Sequence, residues 1–137
     1  MTDNDIIKAS QAICDALSEE QDGLKRDILS HLGNTWALYI IQILGVNGRM
    51  RFSRLKERTG GISQKMLTKS LRDLERDGLI TRTIMFMEVP PRVEYELTNL
   101  GTGLLVKLIP LWGWVIDQTE AFREARKLYD LKTANVS

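Results

Sequence analysis

At Gly78 the apolar pattern of this chain changes period, and few folds accommodate what lies on either side of it. Before the change, in GGISQKMLTKSLRDLERDG, Leu67, Leu71 and Leu74 fall at i, i+4 and i+7 and form one stripe of an α-helix. After it, LITRTIMFM and RVEYELT alternate as half-buried strands do, with Val93, Tyr95 and Leu97 on one side of the second and Arg92, Glu94 and Glu96 on the other. The helix has legible ends: Gly60-Gly61 breaks the element before it, Ser63 can accept a hydrogen bond from an orphan amide, and Gly78 can take the left-handed conformation that stops a helix. A span from about Gln64 to Asp77 is expected. Between the strands, Pro90-Pro91 cannot donate ladder bonds and belongs to the turn, which leaves Arg92 near a stiff, basic hairpin tip, as in a wing.

Ahead of Gly60 lies RFSRLKERT, where Ser53 is expected to cap a short helix with Phe52 and Leu55 facing in and Arg54, Lys56 and Arg58 facing out. Helix, tight break, helix is the arrangement of a helix-turn-helix module. Opposite its leucines, the second helix gathers Gln64, Lys65, Thr68, Lys69, Arg72 and Arg76, a face rich in donors. A merely solvated face is the plain alternative, and the surroundings must decide. Net charge does not, being only +1, but charge is partitioned: residues 1–34 hold three basic and seven acidic side chains, residues 49–82 ten and four. Clustered Lys and Arg neutralise phosphates and position a protein over DNA.

Upstream, Ile6, Ile7, Ala9, Ile13, Ala16 and Leu17 suggest an N-terminal amphipathic helix, and Leu24, Ile28 and Leu32 a second one stopped by Gly33-Asn34. Thr35 can cap a third, WALYIIQIL, apolar nearly all round and so expected to be central and buried on most sides. At the other end Thr98 can cap a long helix whose Leu104, Leu105, Leu108, Leu111, Trp112, Val115 and Ile116 make a stripe too broad for so small a monomer to cover. At 137 residues and 43% hydrophobic the chain suits one domain with extensions. No apolar run of membrane-spanning length and no signal peptide are evident, and Cys14 is the single cysteine, so a cytoplasmic protein with no membrane partner is expected.

Together FSRLKERTGGISQKMLTKSLRDLERDGLITRT, VPPRVEYELTNLG and the downstream LWGW resemble the HxlR-type winged helix-turn-helix transcriptional regulators, over roughly Leu24 to Val115 and most closely from Phe52 to Gly101. The resemblance implies a mainly α fold with a small β-hairpin, in which residues 23–101 form the winged helix-turn-helix DNA-binding domain. Residues 1–22 would then form an N-terminal dimerisation helix, and residues 102–137 a C-terminal dimerisation helix and tail. It implies a DNA-binding homodimer, with the helix after Ser63 as recognition helix and the Pro-Pro hairpin as wing. Gln64, Lys65, Thr68, Lys69 and Arg72 are expected to line the major groove, with Ser63 and Arg54 beside them and the wing, with Arg92, on the flanking backbone or minor groove. The dimer is expected to form through Ile6, Ile13 and Leu17 of the first helix and Leu108, Trp112, Val115 and Ile116 of the last, and its operator to be an inverted repeat in double-stranded DNA. The alternative is a monomer whose terminal helices fold back over WALYIIQIL. Pro110, inside the last stripe, should bend that helix.

The chain departs from the family pattern in one respect: Gly23 and Leu24 stand where many members carry the Cys-Pro of a thiol switch. Cys14, nine residues earlier and beside Ile13, is expected to be a small buried hydrophobe. No enzyme is expected, and no catalytic residue, metal site or cofactor. His31 has no nucleophile near it in sequence and reads as a helix-end residue. Gly101 and Gly103 lack the third glycine of a dinucleotide loop and read as close-packing positions, and no Cys/His set has ligand spacing. The rival functional class is a winged helix used for protein contact or for sensing a small-molecule effector, without DNA reading.

Overall fold

A computed structural model describes residues 1–135. Along them run α1 (Asp3–Asp15), α2 (Glu19–Leu32), α3 (Thr35–Asn47), β1 (Met50–Arg51), α4 (Phe52–Thr59), α5 (Gln64–Arg76), β2 (Ile80–Met85), β3 (Arg92–Leu97), α6 (Asn99–Asp117) and α7 (Thr119–Ala134). The strands form an antiparallel sheet in the order β1-β3-β2, with Met50 opposite Tyr95 and Ile80 opposite Leu97. The fold is thus mainly helical with a small sheet, a winged helix.

α3 is the central helix: Ala37, Ile40, Ile41 and Leu44 are buried against Leu55 of α4, the Leu67, Leu71 and Leu74 stripe of α5, and Ile80 and Tyr95 of the sheet. It is not covered on every side, since Tyr39 and Val46 are exposed. The helix starts are set by local chemistry. Thr2 and Ser18 head capping boxes with Asp5 and Gln21. Asn34, not Thr35, caps α3, its carboxamide oxygen accepting from the Trp36 amide at 3.0 Å. Asn34 also reaches the Ser70 hydroxyl at 3.4 Å, which ties the start of α3 to α5.

The strand β1 was not anticipated, and it removes the expected cap at Ser53. Met50 and Arg51 are engaged in the sheet, the chain passes straight into α4 at Phe52, and the N-cap position falls on Arg51 with no side-chain bond. Leu24 of α2 is exposed, leaving Ile28 and Leu32 to face the domain.

α6 is docked chiefly through its first half, with Trp112 of the second half also packed against the core. The Thr98 hydroxyl accepts from the Gly101 amide at 3.0 Å and donates to the Gly78 carbonyl at 2.6 Å, and the Thr98 amide donates to the Leu79 carbonyl at 3.1 Å. Gly101 packs so tightly there that a Cβ would lie 2.1 Å from the Leu79 oxygen, whereas Gly103 meets nothing and is no close-packing position. Beyond Leu105 the helix continues through Pro110 with Leu108 and Trp112 half-buried and Ile109, Leu111, Trp114, Val115 and Ile116 exposed. Its 19 residues are, against expectation, long and apolar enough by length and composition to cross a membrane. The burial of Gly101 and Leu105 in the same core as α3 and α5 makes it instead a component of the folded domain. A separate α7 follows where only a tail was expected, and every residue of α1 and of α7 is exposed. Of the fold-back alternative, the exposure of α1 contradicts the N-terminal half, whereas α6 does lie against α3, with Trp112 and Ile116 facing Leu38, Tyr39 and Gln42.

Candidate nucleic-acid interface

Ser63 caps α5 as the sequence implies, its hydroxyl accepting from the Met66 amide at 3.1 Å. With Leu67, Leu71 and Leu74 nailed into the core, helical rotation leaves Gln64, Lys65, Lys69, Arg72 and Arg76 exposed and Thr68 half-buried on one continuous face. Lys69 lies 3.7 Å from Asp73 one turn on, an exposed pair that competing phosphate would break at little cost. The first turn of α5 carries no acid, so the positive end of the helix dipole points outward unopposed.

Gly60 and Gly78, both at φ +76°, frame this helix: one provides the tight turn after α4, the other the abrupt exit into β2. The far end of α5 is anchored by His31, whose Nδ1 lies 2.7 Å from the Asp77 carboxylate, so α2 and α5 are joined at their C-termini. His31 is a helix-end residue, as expected, with a structural partner.

Two basic clefts flank the sheet. One, of about 250 Å³, opens between α5 and β2 and is lined by Thr68, Arg72, Glu75, Arg82 and Tyr95. The other, of about 350 Å³, lies at the β1 edge, where Arg49, Arg51, Arg54 and Arg58 meet beside Asn47 and Glu94. Arg49 is engaged by Glu94 and Glu96, and Arg54 lies 3.7 Å from Glu57. Arg51, Arg58, Arg72 and Arg82 make no salt bridge among the described residues. Arg51 and Arg82 were not singled out from the sequence, because only the sheet places them beside α4 and α5.

The hairpin corrects a further expectation. Its tip is apolar, not basic: Phe86, Met87 and Val89 are 75%, 97% and 98% exposed. Arg92 begins β3 and is clasped by Glu88, its Nε donating at 2.7 Å and a second guanidinium nitrogen completing a bidentate pair, with Glu94 at 3.3 Å on the other side. The hydrogen bond from Arg92 holds the Glu88 carboxyl below the usual glutamate range, and Glu88 in turn raises the Arg92 guanidinium. Cys14, expected to be buried, is exposed on the last turn of α1. Among the described residues no group of His, Cys, Asp and Glu could hold a metal ion.

The HxlR-like helix-turn-helix family model matches residues 31–122, a stretch that holds α3, the α4–α5 pair, the hairpin and α6. The chain belongs to the HxlR-like family. Among HxlR-like relatives, the uncharacterized HTH-type transcriptional regulator YtfH of Escherichia coli strain K12 is 42% identical over 90 residues, covering 66% of this chain and 70% of that one. The regulatory protein MalR of Fusobacterium mortiferum is 40% identical over 87 residues, 62% of this chain and 81% of its own length. Of solved structures, ytfH from Salmonella typhimurium superposes with a TM-score of 0.67 at 37% identity, over 75% of this chain and 90% of that one. The reduced form of the transcriptional regulator YodB from B. subtilis gives 0.60 at 32% identity, over 74% and 93%.

Proposed function

We propose that this protein is a transcriptional regulator of the cytoplasm that binds double-stranded DNA as a homodimer, with α5 in the major groove. The observation that carries the reading is the α5 face: five exposed polar or cationic side chains over a fully buried leucine stripe, starting from an outward-pointing helix N-terminus. In such a helix the cations position it on phosphates, and amide or guanidinium groups such as those of Gln64 and Arg72 can pair bidentately with base edges. Ser63, Lys65, Thr68, Lys69 and Arg54 complete the contact surface. Arg92 contributes by holding the hairpin that rests on the flanking DNA.

The second half of the proposal is the dimer. The exposed stripe of α6, with Val115 and Ile116, and the exposed Ile6 and Ile13 of α1 are apolar surfaces that one protomer leaves in water, and Leu17, Leu108 and Trp112 border them. Pairing across a two-fold axis buries them and presents two α5 helices roughly 34 Å apart, so the operator is an inverted repeat. Residues 1–22 and 102–137 are then the dimerising arms and 23–101 the DNA-binding unit. The divisions are functional, since α2 and α6 run across them.

Selection of bound fragments from random DNA, followed by sequencing, tests this: an inverted-repeat consensus is expected, with affinity falling steeply as salt rises. Failure to enrich any sequence, together with salt-independent capture of a protein partner, would favour the protein-contact alternative.

A further inference from the structure

The apolar hairpin tip is the surface that the proposed function leaves unexplained. Wings that touch DNA through charge need a cation at the tip, and here Arg92, the cation next to the tip, is engaged by Glu88 and Glu94, while the hairpin's other cation, Arg82, lies back on β2 in the cleft beside α5. What the hairpin presents instead is Phe86, Met87 and Val89, among the most exposed large apolar side chains of the domain. The two basic clefts stand on either side of the hairpin stem, one at β1 with Arg51 and Arg58, one at β2 with Arg72 and Arg82. Arg51 is near enough to the tip to act electrostatically on Glu88. A duplex that engages both clefts spans the hairpin stem between them, and the surface that hairpin offers at its tip is apolar.

We propose that the wing works as an apolar wedge, with Phe86, Met87 and Val89 pressed into the minor groove flanking the α5 site and opening a base step there. Apolar side chains used this way partly unstack a step and kink the duplex toward the major groove, and pyrimidine–purine steps yield most easily. The wing then contributes specificity through the deformability of bases that it does not hydrogen-bond. Arg92 serves as a positioning residue: its clasp on Glu88 sets the hairpin where the tip can enter.

This inference rests on the DNA-binding reading, and the experiment separates the two. The full chain carrying Phe86→Ser, Met87→Ser and Val89→Ser is compared with the natural sequence on a duplex recovered from random DNA by the natural protein, end-labelled for energy transfer. A 2-aminopurine at the flanking step reports unstacking. The exposed positions make folding insensitive to the change, which circular dichroism verifies. The expected result is a loss of affinity of about tenfold or more, with loss of the bend and of the 2-aminopurine signal, while the salt dependence is unchanged because no cation is removed. Unchanged affinity and bend in the triple variant overturn the wedge while leaving DNA binding intact. So does normal DNA binding with loss of regulation alone, which would assign the tip to a protein. If the natural chain recovers no duplex, DNA binding itself fails and the wedge with it.

Discussion

Gln64 follows the α5 cap directly and is exposed at the head of the polar face, so Gln64→Ala should relax base preference at one position of each half-site, as read by repeating the selection with the variant. An unchanged consensus would remove it from the base readers. Arg92 carries a different expectation. As a clasp on Glu88 that sets the wedge, its replacement by Ala should weaken binding most at sites flanked by an easily opened step and leave the salt dependence untouched; a direct phosphate contact would instead weaken all sequences about equally and lower the slope by about 1. The clasp can also be read directly. The Glu88 carboxyl is held below the ordinary glutamate value, so the pair's contribution is complete above that value and is lost as pH falls through the lower, folded-state one. An NMR titration should find the Glu88 midpoint below that of a reference glutamate, and Arg92→Ala should return it to the ordinary range.

At the scale of elements, the junction of α5, β2 and α6 governs how α5 is held. Gly101 sits where a Cβ would strike the Leu79 carbonyl at 2.1 Å, and that carbonyl also accepts from the Thr98 amide. Gly101→Ala must therefore displace backbone, and a loss of about 1–3 kcal/mol in chemical denaturation is expected. Leu71→Ala, at a fully buried position in the same core, should cost about 2–5 kcal/mol by the same measurement. The limits of α5 were legible because its signals are local: a cap at Ser63, glycines at either end and a leucine stripe between. The strand β1 was not, because two residues carry no periodicity and Met50-Arg51 becomes a strand only through its partners Tyr95 and Glu94. That same pairing moved the start of α4 from Ser53 to Phe52.

For the molecule as a whole, the unpaired apolar surface of α1 and α6 sets the expectation of a homodimer. The substitution that tests it has to spare the protomer. Trp112 is half-buried against the core and would confound the result, whereas Ile116 is 70% exposed at the outer end of the stripe. Ile116→Glu should leave circular dichroism unchanged and shift the mass from light scattering to that of one chain at micromolar concentration. A natural chain that already runs as a monomer would refute the dimer.

The sequence by itself determined the order of the principal helices and the hairpin, the polar face of α5 and the excess of apolar surface at the C-terminus. Each of these is written in the spacing of side chains along one element, where rotation per residue converts order directly into direction. Only the tertiary structure decided that Arg51 and Arg82 join Arg58 and Arg72 in two clefts, that His31 anchors α5 through Asp77, and that Arg92 is spent on Glu88 and Glu94 while the hairpin tip is left apolar. Those outcomes depend on which residues meet across the sheet and between helices, and proximity of that kind has no signature in spacing. The exposure of Cys14 has the same origin: α1 is amphipathic, but its apolar side is packed against no other element of this chain, which spacing alone does not reveal.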